Sequence, residues 1–177
     1  MTVRRQRLVA RLVALGWLLA ALGAPVAAEA CGAPGTPCDA GGGTYHLALP
    51  DGPGPHPVAM FLHGWGGRAE ATVANRGVVD PILARGWAVL APQGAPRRDG
   101  DRGGAWNAMA SAARRDDVAF LQAVLADAAA RHPLDRDRVL AAGFSGGGMM
   151  VWRLACAAPG AAFAYAPYPR DDELTTM

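Results

Sequence analysis

The chain has 177 residues, of which 51% are hydrophobic, 18% charged and 7% aromatic. That is too apolar for a disordered chain, and the length suits one compact domain rather than two. All 17 basic residues are arginine; setting residues 1–30 aside, with Arg4, Arg5, Arg7, Arg11 and Glu29, leaves 13 basic against 14 acidic groups. The remainder carries no positive footprint, which excludes nucleic-acid and polybasic membrane binding.

Residues 1–30 read as a signal peptide: a basic start through Arg11, an apolar stretch from Leu12 to Leu22, and an A-x-A-like cleavage signal at Ala28-Glu29-Ala30. The apolar stretch is shorter than the ~20 residues a spanning helix needs. The expected location is therefore outside the cytoplasm, extracellular or periplasmic, with no stable membrane span. A retained N-terminal anchor and a lipid anchor on Cys31 are the competing readings; Ala28-Glu29 lacks the apolar residue expected before a lipidated cysteine. In an oxidising compartment Cys31 and Cys38 can bridge the Gly32–Pro37 loop, the alternative being two free thiols. Cys156 is left over, either a buried thiol or one whose partner is not in this chain.

Residues 31–43 form a Cys/Gly/Pro-rich segment before a domain expected over 44–166. Tyr45 to Leu49 alternates as a strand does, and Val58 to Leu62 is an apolar run suited to a strand buried on both faces. Glycine-rich His63-Gly64-Trp65-Gly66-Gly67 follows. Glu70 to Arg85 has helical character broken at Gly77 and Pro81, and Trp87 to Ala91 is a second buried strand. A polar loop, Gln93 to Asn107, precedes a helix over Ser111–His132 with the apolar stripe Val118, Phe120, Leu121, Val124 and Leu125. Arg138 to Ala142 is a strand, Gly147 to Ala157 a helix, and Ala162 to Ala166 a last strand before a polar tail, 167–177. Strands alternating with helices predict an α/β fold with a mostly parallel sheet flanked by helices.

Gly143-Phe144-Ser145-Gly146-Gly147 is a G-x-S-x-G motif between a predicted strand and a predicted helix. On such a sharp turn the glycines avoid collisions and the strain exposes the serine hydroxyl, making Ser145 the candidate nucleophile. The Gly146 amide faces the developing oxyanion. The second donor is expected from the glycine-rich loop after the early strand, at the Trp65 amide, with His63 and Gly64 shaping the loop. A structural serine in a Gly-rich turn is the alternative for Ser145, and a general base the alternative for His63. The latter is rejected because the order in this architecture is Ser, acid, His.

From Cys31 to about Pro167 the chain resembles the secreted α/β-hydrolase esterases of the polyhydroxybutyrate depolymerase and feruloyl esterase type. The matching pieces are Gly43-Thr44-Tyr45, Phe61-Leu62-His63-Gly64, Ala91-Pro92-Gln93-Gly94, Ala105-Trp106-Asn107, Arg115-Asp116-Asp117-Val118-Ala119-Phe120-Leu121, Asp137-Arg138-Val139, and Gly143-Phe144-Ser145-Gly146-Gly147-Gly148-Met149-Met150. The resemblance implies an α/β-hydrolase fold and a secreted carboxylic-ester hydrolase. It further implies a Ser-Asp-His triad, no metal, no cofactor, and a polyester or aryl-ester substrate.

The pattern is incomplete in one respect. All four histidines, His46, His56, His63 and His132, precede Ser145, and Asp171 and Asp172 follow no predicted strand at the required distance. The expectation is a C-terminally incomplete esterase, weakly active or inactive as written. A non-catalytic secreted protein that binds esters or polymers, and an inactive fragment, are the competing readings.

Overall fold

The computed structural model describes residues 31–160 and 164–168. The leader, Asp171 and Asp172 lie outside them. In chain order the elements are β1 (Cys38–Ala40), β2 (Gly43–Ala48), β3 (His56–Leu62), α1 (Ala69–Ala74), α2 (Arg76–Leu83), β4 (Ala88–Pro92), β5 (Ala95–Pro96), β6 (Gly104–Ala105), α3 (Asp117–Arg131), β7 (Leu134–Phe144), α4 (Gly146–Ala157) and β8 (Ala164–Tyr168).

Six strands form one sheet in the order β1-β2-β4-β3-β7-β8. The pairs β1–β2 and β2–β4 are antiparallel; β4–β3, β3–β7 and β7–β8 are parallel. The sheet is the mixed, mostly parallel α/β-hydrolase arrangement. Its middle strands are the expected apolar runs. Every residue of β4 is buried, as are Val58, Met60 and Leu62 of β3. Phe120, Leu121, Val124 and Leu125 of α3 and Met150, Val151 and Leu154 of α4 complete that core. Among the described residues no helix is long and apolar enough to cross a membrane.

Four boundaries differ from the expectation. Residues 31–43 do not stand apart: Cys38 is buried, β1 is an edge strand of the sheet, and a Cys31–Cys38 disulfide closes the loop between them. The first helical stretch breaks at Asn75, at non-helical φ −77°, ψ 83°, rather than at Gly77 or Pro81. Pro81 sits inside α2, where its missing N–H forfeits a single bond in a short helix. Helix α3 begins at Asp117, six residues later than expected, because side chains compete for the preceding backbone. The Asn107 amide donates to the carbonyls of Ser111 and Arg115 (2.9 and 3.0 Å) and accepts from the Ser111 N–H (2.8 Å). Asp116 then caps the helix, accepting from the amides of Val118 and Ala119 (3.0 and 3.2 Å). The last strand, Ala164–Tyr168, runs two residues beyond the expected end at Ala166 and into the expected tail; Ala162 and Phe163 lie outside the described residues. Cys156 is exposed rather than buried and forms no disulfide among the described residues.

The loop between β4 and α3 is held from below by Asp117, 2% exposed. Its carboxylate accepts from the Asn107 backbone N–H and from Arg115 Nε, both at 2.6 Å. Arg115 in turn donates to the Gln93 carbonyl (3.1 Å) and lies 3.6 Å from the Phe120 ring centroid. Both ends of a 15-residue excursion, 93–107, thus hang on one buried carboxylate. Asp117→Ala leaves Arg115 Nε and the Asn107 backbone N–H without their acceptor, and is expected to lower unfolding free energy by about 3 kcal/mol. Asp116→Ala, the lost cap, is expected to cost about 1 kcal/mol. Urea titration of both variants checks the ranking, which equal costs would overturn.

Candidate active site

Strand β7 ends at Phe144 and α4 starts at Gly146; Ser145 between them sits at φ 51°, ψ −118°. A side chain in that region costs roughly 1–3 kcal/mol and persists only where its surroundings enforce it. The neighbours do so. A Cβ on Gly147 would overlap the Leu62 carbonyl and lie 2.7 Å from the His63 oxygen. A Cβ on Gly143 would lie 2.5 Å from the Gly147 carbonyl. The glycines on either side let the turn close down on the end of β3, as the motif requires. Beyond the turn, the Met149 amide donates to the Ser145 carbonyl (3.1 Å) as α4 begins.

The loop leaving β3 meets this turn. Gly67 N–H donates to the Gly64 carbonyl (3.0 Å), closing a four-residue turn with Trp65 and Gly66 at its corners. Gly66 takes φ 71°, the positive value that a type II turn demands at its third position. A Cβ on Gly146 would lie 3.6 Å from the Trp65 backbone nitrogen. The structure thus brings Ser145, Gly146 and the Trp65 amide to one place, with Gly64 packed under Phe144.

His63 is 5% exposed and spent on that loop. Its Nε2 accepts from the Gly94 amide (3.0 Å), which fixes the proton on Nδ1, and Nδ1–H donates to the Gly64 carbonyl (2.8 Å). Gln93 Nε2 lies 3.2 Å from the same Nε2. Burial holds the imidazole below its ordinary pKa, opposed by the Gly64 carbonyl. Trp106 stacks at 5.1 Å between centroids and donates its indole N–H to the His63 carbonyl (2.7 Å). A histidine with both nitrogens engaged in this way orders a loop rather than abstracting a proton from Ser145.

No other histidine stands near the serine. His56 pairs with Leu134 at the far end of β3, roughly 20 Å from the Leu62–Gly143 level at ~3.3 Å per residue. His132 precedes Leu134 at that same end. His46 lies on β2, three strands from β7, with Nδ1 directed at the Ala33 carbonyl (2.9 Å). Among the described residues none hydrogen-bonds the Ser145 hydroxyl, and no cluster of three or more His, Cys, Asp or Glu is placed to hold a metal ion.

Beside Gly146 opens a cavity of about 270 Å³ lined by Trp65, Trp106, Met109, Met149 and Arg114 among others. A larger hollow of about 450 Å³ adjoins it across Met109 and Met149, and two others lie away from the serine turn. Sequence reasoning overlooked Gln93 and Gly94, the partners of His63, and the small β5–β6 hairpin that backs the loop. A signal existed: Gly94 ends one of the characteristic segments, and a Cβ there would lie 3.1 Å from His63 Cε1.

The dienelactone hydrolase family profile matches residues 44–176, three quarters of the chain. The chain belongs to the dienelactone hydrolase family. It is 36% identical over 117 residues to "Putative esterase NocK" of Nocardia uniformis subsp. tsuyamanensis; the match takes in 63% of this chain and 31% of that protein. Among solved structures it is similar to FphF, a fluorophosphonate-binding serine hydrolase of Staphylococcus aureus (TM-score 0.57, 17% identity, 71% of this chain and 50% of that one). An acetyl xylan esterase from Aspergillus awamori is comparable (TM-score 0.56, 16% identity, 69% and 44%). The chain thus spans about a third of that curated relative and half or less of these structures. At such identities the structures establish the fold, which in this family places Ser145 at the C-terminal edge of the parallel strands.

Gly147→Ala is expected to destabilise by several kcal/mol, since backbone carbonyls cannot yield to the new methyl; thermal unfolding within 1 °C of the parent would refute the packing account. His63 gives a pH dependence with a definite sign. Its folded pKa lies below the unfolded ~6.5, so the unfolded chain binds the extra proton. Its contribution is complete above pH ~6.5 and is lost as pH falls through the folded value. His63→Asn should flatten that acid limb in a chemical-denaturation series from pH 8 to 5; an unchanged limb would assign it elsewhere, with His132, also held below its ordinary value chiefly by burial, the next group to test.

Proposed function

We propose that this chain supplies the nucleophile and oxyanion site of a carboxylic ester hydrolase. The observation that carries the reading is Ser145 at φ 51° on the strand-to-helix turn, with Gly146 facing the Trp65 amide. Membership of the dienelactone hydrolase family and the likeness to an esterase support it. In the proposed reaction Ser145 Oγ attacks the ester carbonyl, and the oxygen that becomes negative accepts from the Gly146 and Trp65 amides. Collapse expels the alcohol and leaves an acyl-serine, which water then cleaves.

The Ser145 proton must go to a base, and none of the four histidines is placed to take it. Without that partner a serine loses several orders of magnitude in rate, keeping what binding and the oxyanion donors provide. The proposal therefore assigns the base to a group other than these histidines. In its finer form it makes the protein a secreted hydrolase of the polyhydroxybutyrate depolymerase or feruloyl esterase type. The Cys31–Cys38 disulfide supports an oxidising compartment, and the apolar cavity of Trp65, Trp106, Met109 and Met149 supports an apolar or aromatic ester. That none of the four histidines is placed to act as base favours a second reading, a protein that binds esters or polyesters without turnover.

A fluorophosphonate probe followed by intact mass and peptide mapping tests the first reading. The expected adduct is on Ser145, absent from Ser145→Ala, together with slow p-nitrophenyl butyrate hydrolysis lost in the same variant. Hydrolysis indifferent to that substitution would overturn it. Retention on insoluble polyester by a chain that takes no label would favour the second.

A further inference from the structure

The hairpin of β5 and β6 has no part in the chemistry just described, yet it is fastened to the loop that supplies one oxyanion donor. Gly66 N–H donates to the Gly104 carbonyl (2.8 Å) and Gly104 N–H to the Gly67 carbonyl (3.0 Å). These bonds fix the far side of the turn. They leave the corner at Trp65, a residue 65% exposed that lines the cavity beside Gly146.

A single charged side chain reaches that corner from the hairpin. The Arg97 guanidinium carbon lies 5.6 Å from the Trp65 ring centroid, within cation–π range. A Cβ added to Gly66 would lie 4.0 Å from Arg97 Cζ and Nη1, so the group covers the Trp65–Gly66 corner as well as the ring. Asp101, across the hairpin, holds Arg97 Nε at 3.2 Å. An ion pair this exposed adds little stability, its two side chains being 38% and 28% exposed. What it does is orient a planar cation.

We propose that Arg97 is a positioning residue for the oxyanion site: steered by Asp101, it clamps the Trp65 ring and so keeps the Trp65 amide turned toward Gly146. The inference rests on the catalytic reading of Ser145, Gly146 and Trp65 given above. It makes the β5–β6 hairpin part of the active-site support, with its hold on Trp65 passing through one exposed side chain. Arginine is suited to this because its flat guanidinium stacks on an aromatic face, which the lysine ammonium does less well.

The test uses the full chain and the variants Arg97→Ala, Arg97→Lys and Arg98→Ala, the last removing the same charge one residue away from an exposed position. Two quantities are read: the ¹⁵N order parameter of the Trp65 backbone amide, and the rate at which a fluorophosphonate labels Ser145. In Arg97→Ala the order parameter is expected to fall from the rigid value of about 0.85 toward 0.6. Labelling should slow roughly two- to five-fold, the weight of an exposed cation–π contact. Arg97→Lys should recover part of both, and Arg98→Ala should change neither. An unmoved Trp65 amide in Arg97→Ala overturns the proposal, as does an equal effect from Arg98→Ala, which would trace it to net charge. A loosened amide with unchanged labelling also overturns it, since the contact would then not bear on the site. If the unaltered chain takes no label, the catalytic reading fails by itself, and the Trp65 order parameter still decides whether Arg97 orders this corner.

Discussion

Everything at the site depends on how closely the serine turn approaches the end of β3. The parallel register sets Leu62 opposite Gly143. Three residues beyond that pair on one strand is Trp65, and three beyond it on the other is Gly146. The two backbone amides proposed as donors are therefore neighbours because two strands ~4.8 Å apart leave the sheet in step and both turn at once. Gly147 is what lets them do so: it lies against the Leu62 and His63 carbonyls, where any side chain would force the turn away. The strained φ of Ser145 is the consequence, since the chain has to reverse from strand to helix within one residue while held against β3.

The second constraint is that the loop after β3 is buried at its root and open at its tip. A buried loop must satisfy its polar backbone internally, and His63 does most of this work. Its two nitrogens serve the Gly64 carbonyl and the Gly94 amide, its own carbonyl receives the Trp106 indole, and Gln93 links the same cluster to the first amide of α1 (2.8 Å). These partners come from the loops after β3 and β4 and from the segment before α3. The site is thus a junction of strand ends, where ligands bind in open α/β sheets, and its rigidity comes from a neutral imidazole rather than from charge.

Much of this was legible in the amino-acid sequence because it follows from short-range rules. Apolar runs bounded by proline and glycine gave β3 and β4, and strand, G-x-S-x-G and helix in succession gave Ser145 its place. What escaped had long-range causes. The delay of α3 to Asp117 comes from Asn107 capturing the backbone of Ser111 and Arg115, a bond that no local propensity encodes. The break at Asn75 spared Pro81 because the helix is short enough to lose one bond there. The partnership of His63 with Gly94 spans 31 residues, and a histidine beside a serine motif draws attention to proton transfer when its surroundings make it a strut.

The same geometry limits where a base can act. Of the two proposed oxyanion donors, Gly146 follows Ser145 itself and the Trp65 amide comes from the loop after β3, the strand on one flank of β7. On that flank the loops after β3 and β4 are filled by His63, Gln93 and Trp106, all committed to backbone groups. In an acyl transfer the oxyanion and the attacking Oγ, which gives up its proton to the base, are different substituents of the tetrahedral carbon, so base and oxyanion donors approach from different sides. The other flank is β8, whose end at Tyr168 pairs with Phe144, immediately before the serine. A histidine reaching Ser145 would therefore have to come over the C-terminal end of β8. His46, His56, His63 and His132 are excluded from that position by the strands they occupy, whatever their pKa.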